Sequence, residues 1–220
     1  MVSRMTQLAA LVADLQEKAA LECVGEALAA GEDPLRIMEQ CQEGLRLVGK
    51  RYEEGIYYIS GLIMSGEIMR QVGELIFPVL ERQVSADASG RILLGTVAGD
   101  IHFIGKNLLK VLLRCHGFTV RDAGEDVPAE RFVELVQEFK PHAVGLSCLL
   151  TTAYDSLKDT VALLRRRPPA QGVPIVIGGR VDDKVCAYVK ADHWAVDATT
   201  GIRLFQSLSA ARVAVDQDPL

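Results

Sequence analysis

An α/β fold is predicted, with an N-terminal bundle of the four-helix type followed by a doubly wound sheet of five parallel strands. Three observations predict it. Residues 4–80 carry apolar positions at helical spacing and contain no strand-like run. After residues 83–90 the period changes, and five short apolar runs alternate with five amphipathic segments. That alternation implies parallel strands, because each intervening helix returns the chain to the edge it left.

In the bundle, Leu8, Leu11, Val12 and Leu15 form one stripe. Asp33-Pro34 opens a second helix, with Asp33 as N-cap and Pro34 in the first turn, where a missing N–H costs nothing. Ile37, Met38, Cys41, Leu45 and Val48 line its apolar side. Glu53-Glu54-Gly55 breaks the pattern, and Leu62, Ile63, Met69, Val72, Leu75 and Ile76 resume it. Pro78 then marks a kink or the start of a new short helix. Residues 1–82 read as one helical domain. Residues 83–90 (Gln-Val-Ser-Ala-Asp-Ala-Ser-Gly) are small, polar and aperiodic, so they read as a linker.

The second domain spans 91–212, with 213–220 as a tail. Strands are expected at 91–97, 118–121, 143–147, 174–177 and 193–196, and helices at 105–116, 128–139, 154–167, 182–190 and 199–211. Such a unit is flavodoxin-like, with strand order 2-1-3-4-5, which brings the ends of the first, third and fourth strands together.

Composition excludes several classes. With 24 basic and 29 acidic residues the net charge is −5, and no basic stripe interleaved with aromatics is present, which argues against nucleic-acid binding. No run approaches the ~18–20 apolar residues needed to cross a bilayer, and residues 1–16 lack a signal layout, so a cytoplasmic location is expected. The five cysteines form no C-x-x-C pair and read as small apolar fillers.

Residues 91–107 (Arg-Ile-Leu-Leu-Gly-Thr-Val-Ala-Gly-Asp-Ile-His-Phe-Ile-Gly-Lys-Asn) carry the chemistry. Asp100 and His102 fall on the turn between the first strand and its helix, where open α/β sheets bind ligands. Glycines at 95, 99 and 105 thin the backbone around them, as close approach by a large group requires. His102 is therefore a candidate ligand and Asp100 its orienter. A P-loop does not fit, since five residues separate Gly99 from Gly105-Lys106-Asn107. A phospho-receiver domain needs an Asp at the end of the third strand, where Ser147 stands. His116, His142 and His193 read as structural or surface residues.

Taken together, Asp100-x-His102-x-x-Gly105, Ser147-x-Leu149 and Gly178-Gly179 resemble the cobalamin-binding domains of the methionine synthase type. The likeness extends to Glu53-Glu54-Gly55-Ile56-Tyr57-Tyr58-Ile59 and Leu62-Ile63-Met64-Ser65, which look like that family's helical cap. It covers about residues 30–210 and comes nearest to the stand-alone corrinoid proteins of anaerobic methyltransferase systems. The resemblance implies cobalamin bound base-off/His-on, with His102 on cobalt and Asp100 behind it. It assigns cofactor contacts to Gly99, Asp100, Ile101, His102, Phe103, Ile104 and Gly105. Ser147 would meet the displaced base, Thr151 and Thr152 the nucleotide loop or corrin edge, and Gly105, Gly178 and Gly179 the walls of a slot for the tail, with Leu149 a further cofactor contact. Tyr58, Leu62 and Ile63 of the cap would shield a methyl group.

The chain departs from the family at Phe103, where a second Asp is common, and at Ala153, where a serine would complete the relay. Ile59-Ser60-Gly61 replaces the familiar Leu-Pro-Glu, and Lys190-Ala191-Asp192 replaces Gly-Ala-Asp. By this resemblance the chain has no catalytic residue of its own and carries a methyl group on cobalt. Its expected partners are a substrate:corrinoid methyltransferase, a methylcorrinoid:tetrahydrofolate methyltransferase and a reductive activator. Methoxylated aromatics, methylamines and methanol all remain open as donors. The alternative is a B12-dependent regulator or light-sensing module, which would append a DNA-binding domain where this chain has few, neutral residues. A mutase subunit is a third option, which a methyl-type cap disfavours.

Overall fold

The computed structural model describes residues 4–81 and 89–216. Most of the segment read as a linker lies outside the described residues. The chain forms two compact units, Met1–Arg82 and Gln83–Leu220.

The first unit holds α1 (Arg4–Ala13), α2 (Glu17–Ala29), α3 (Pro34–Glu53) and α4 (Ile59–Glu81). Asp33 caps α3 by accepting from the Leu35 N–H at 3.0 Å, with Pro34 in the first turn. Leu8, Val12, Ile37, Met38, Cys41, Ile68, Met69, Val72 and Ile76 are buried between the helices. A Cβ on Gly44 would lie 2.6 Å from the Ala9 carbonyl oxygen, so α1 and α3 meet backbone to backbone there.

Two expectations change. Helix α4 runs through Pro78 without a new helix starting there. Ile63 and Leu75 do not join the inner stripe and are exposed. At 100° per residue, Ile63 lies on the side of α4 opposite Ser65, Ile68, Met69, Val72 and Ile76, and Leu75 lies at the stripe's edge.

The second unit is a sheet of β1 (Gly90–Thr96), β2 (Phe118–Asp122), β3 (Ala143–Cys148), β4 (Ile175–Gly179) and β5 (His193–Ala195). All pairs are parallel and the order is β2-β1-β3-β4-β5, as predicted. Helices α5 (Ile104–Cys115) and α9 (Ala198–Asp216) cover one face; α6 (Ala129–Phe139), α7 (Tyr154–Arg166) and α8 (Asp183–Val189) cover the other. Ile92, Leu94, Ala143, Val176 and Phe205 pack on the α5/α9 side, and Leu93, Val144, Leu146, Ile175 and Ile177 on the α6/α7 side. Strands buried on both faces read as near-continuous apolar runs, which is why they were visible in the sequence.

Gly178 and Gly179 are the last two residues of β4 rather than a turn after it. Helix α9 continues to Asp216, into the stretch read as a tail.

Candidate functional site

The end of β1, the loop 97–103 and the turn after β3 meet at the carboxyl edge of the sheet. Asp100 joins them. Its side chain is fully buried (0% exposed), and its carboxylate accepts four hydrogen bonds. Oδ1 takes the His102 backbone N–H at 3.0 Å and the His102 ring Nδ1 at 2.7 Å. Oδ2 takes the N–H groups of Leu149 at 2.5 Å and Leu150 at 2.9 Å. Burial alone would push this carboxyl up, but the backbone amides of His102, Leu150 and Leu149, together with the His102 ring, outweigh it and hold it below the usual carboxylate range.

An ionised acceptor at Nδ1 selects the tautomer with the proton on that nitrogen, leaving Nε2 with its lone pair. The His102 side chain is 46% exposed, so this donor is accessible. Among the described residues no group of three or more His, Cys, Asp or Glu could hold a metal ion. One presented imidazole is the donor set suited to a metal whose other ligands arrive with it, as in a macrocycle.

Two residues that the sequence reading missed hold this turn. Thr96 is fully buried and its hydroxyl donates to the His102 carbonyl at 2.9 Å. Asp126, on the loop between β2 and α6, accepts the Gly99 N–H at 2.7 Å and donates its own N–H to the Asp100 carbonyl at 2.9 Å. Thr96 had a signal, being a polar residue inside an apolar strand run. Asp126 had none, because it meets Gly99 only through the fold.

Of the other predicted residues, Ile101 and Leu149 are exposed, as is the neighbouring Leu150, with Phe103 and Ile104 half-buried. Thr151 and Thr152 are exposed in a 3-10 turn, Thr151–Ala153, and Ala153 is buried, so hydrogen bonding through the relay stops at Asp100. Burial and the charge of Asp100 push the Cys148 thiol up to about 12, which leaves it an inert filler.

Cross-strand register aligns Thr96 with Ser147, Ser147 with Gly178 and Gly178 with Ala195. Alternation from Leu94, Ala143 and Val176 places this row on the α5/α9 face. Four small residues in a row withhold side-chain volume from that end of the sheet. A Cβ on Gly178 would meet only the Ala195 carbonyl oxygen, at 3.8 Å, and one on Gly105 would meet nothing within 4 Å. Gly179 differs. Its φ is +108° and its Cβ would lie 2.4 Å from the Cys148 carbonyl oxygen, so backbone geometry alone demands glycine there. The slot expectation suits Gly105 and Gly178, whereas Gly179 faces the opposite side of the sheet.

In the helical unit, Tyr58 is 77% exposed and Ile63 69%, with Leu62 half-buried. Ile56, Ile59 and Met64 are exposed nearby in sequence, giving a run of uncovered apolar side chains. Tyr58 and Ile63 are therefore not bundle core.

Residues 90–198 match the family model described as B12 binding domain, and residues 5–76 match a second model of the same description. Fold and site thus define a cobalamin-binding protein. The chain is 31% identical to dimethylamine corrinoid protein 1 of Methanosarcina acetivorans over 209 residues, covering 94% of this chain and 97% of that one. It is 35% identical to trimethylamine corrinoid protein 1 of the same organism over 170 residues, covering 76% and 79%. The solved structure of the Methanosarcina barkeri monomethylamine corrinoid protein superposes with a TM-score of 0.82 at 29% identity, covering 92% and 96%. The chain belongs to the corrinoid proteins of methyltransferase systems. Among the described residues no helix is long and apolar enough to cross a membrane.

Proposed function

We propose that this chain carries a methyl group between a substrate-specific methyltransferase and a second methyltransferase, with cobalamin bound base-off/His-on through His102 Nε2. The observation that carries this reading is the Asp100–His102 pair: a buried carboxylate fixes the ring by Nδ1 and turns the other nitrogen outward. When bound, cobalamin supplies a cobalt centre that can accept and give up a methyl group. Asp100 keeps the proton on Nδ1 and so keeps Nε2 available to the metal. Were the imidazole released, the buried Asp100 carboxylate would still hold the ring through Nδ1.

Ser147 at the centre of the small-residue row makes no side-chain hydrogen bond among the described residues, which suits a hydroxyl offered to the cofactor's displaced base. Gly105 and Gly178 would leave room for the tail, and Gly99, Ile101, Phe103, Ile104, Leu149, Thr151 and Thr152, on the turns that follow β1 and β3, would contact the cofactor. The exposed Tyr58 and Ile63, with Leu62, shield the methyl group from solvent. Relatives named for tri- and dimethylamine support a methylated amine as donor to the first methyltransferase. Tetrahydrofolate as final acceptor, its methylcorrinoid methyltransferase and a reductive activator complete the proposed system.

The test is to reconstitute wild type and His102→Ala with cobalamin and record EPR of the Co(II) form. Nitrogen splitting from histidine is expected in wild type and absent from the variant. Identical spectra would overturn the ligation. Methylation of the bound cobalt by the partner methyltransferase tests the carrier role, and turnover of donor by this chain alone would refute it.

A further inference from the structure

Lys106 lies in the first turn of α5, and its side chain is only 1% exposed. A lysine is seldom buried unless its ammonium is fully paired. Here Nζ meets Asp122 Oδ1 at 2.6 Å, Asn107 Oδ1 at 3.0 Å and Glu125 Oε1 at 3.1 Å, three acceptors for three N–H groups. Lys110 meets the other oxygen of Asp122 at 3.0 Å.

Asp122 is the last residue of β2 and Glu125 lies on the loop that follows it, residues 123–127, between β2 and α6, so Lys106 ties both to α5. Asp122 also accepts the Gly124 N–H at 3.0 Å. The loop is stitched to β1 by Ala123 N–H to the Leu94 carbonyl, Thr96 N–H to the Gly124 carbonyl and Val127 N–H to the Thr96 carbonyl, at 2.7, 2.9 and 3.0 Å. At its tip Asp126, with φ +52°, makes the two bonds to Gly99 and Asp100 that fix the turn carrying His102.

We propose that Lys106 is a positioning residue for His102. It acts through Asp122 at the end of β2 and Glu125 on the loop, and through Asp126 on the turn, so that the buried ammonium sets where Asp100 and the imidazole stand. The inference rests on His102 being the cobalt ligand. Without the ammonium, Asp122 and Glu125 lose the cation they share and Glu125 has no counter-charge to draw it inward. The loop then relaxes outward, and Asp126 no longer holds Gly99 and Asp100.

The experiment compares cobalamin-reconstituted wild type with Lys106→Met, Asp122→Asn, Asp126→Ala and Asp126→Asn. His102→Ala serves as the reference for lost ligation. The readouts are the fraction of the Co(II) EPR signal showing nitrogen splitting and the dissociation constant for cobalamin. Lys106→Met and Asp126→Ala should each lower that fraction and weaken cobalamin binding about tenfold or more, the scale of losing an outer-shell support. Asp126→Asn keeps the acceptor for Gly99 and should resemble wild type. The double variant Lys106→Met/Asp126→Ala should be little worse than either single one, because both act on the same loop.

A purely structural lysine would lower the denaturation midpoint and leave the splitting as in wild type; that result, in folded Lys106→Met, overturns the proposal. Asp122→Asn weakens the same anchor without emptying core volume, so it decides the matter if Lys106→Met does not fold: wild-type splitting and affinity there also overturn it. A wild type without His102-dependent splitting overturns the ligation reading itself, and this inference with it.

Discussion

Asp100 accepts four hydrogen bonds in a site closed to water, three of them from backbone amides and one from the His102 ring. Its substitution therefore disturbs two loops at once. Asp100→Asn puts an amide NH2 where an acceptor stood and should destabilise the apoprotein by about 1–3 kcal/mol, read from urea unfolding. The effect depends on pH in a definite sense. The folded-state carboxyl titrates below its unfolded value of about 3.9, so its contribution is complete above that value and is lost as pH falls through the lower folded value. The stability gap between wild type and Asp100→Asn, followed by urea unfolding across acid pH, should close as pH falls below about 4. Asp122 is also held low, against its burial, by Lys106, Gly124 and Lys110, but it is present in both proteins and cancels in the difference.

At the scale of the element, strand β4 ends in two glycines that answer to different constraints. Gly178 is open on the α5/α9 face; Gly179 is forced by φ +108° and by the Cys148 carbonyl. Gly178→Ala should leave apoprotein stability within about 0.5 kcal/mol of wild type while weakening cobalamin binding, if the space beside Ser147 receives the cofactor's tail. Gly179→Ala should cost the apoprotein about 1–3 kcal/mol before any cofactor is added. Denaturation of the apoproteins together with cobalamin titration separates the two. Equal cobalamin affinity in Gly178→Ala and wild type would remove the tail from this row. The carboxyl end of β3 is tied in similarly, because its following turn donates the Leu149 and Leu150 amides to Asp100.

For the whole molecule, the two units present different chemistry. The α/β unit offers a single nitrogen donor at its sheet edge, and the helical unit offers uncovered apolar side chains around the start of α4. Both match B12-binding family models, and the chain aligns with nearly the whole of the dimethylamine relative. Tyr58 gives the cleanest test of the helical unit, because it is exposed and its loss should not loosen the bundle. Tyr58→Ala should change apoprotein stability by less than about 0.5 kcal/mol and speed photolysis of bound methylcobalamin. An unchanged photolysis rate would take Tyr58 out of the shield.

The sequence by itself determined the order of helices and strands, since buried parallel strands write continuous apolar runs and bundle helices write a 3.6-residue period. It also singled out Asp100 and His102, one residue apart on a strand-to-helix turn, whose side chains meet at 2.7 Å. The tertiary structure decided what surrounds them. That the second oxygen of Asp100 reaches amides 49 and 50 residues further along, and that Asp126 clasps Gly99, depends on β3 and the β2–α6 loop lying beside β1. Local pattern carries no record of such distant pairings. Nor does it separate Gly178 from Gly179, because the two glycines differ only in the backbone angle and in which neighbours the fold brings up.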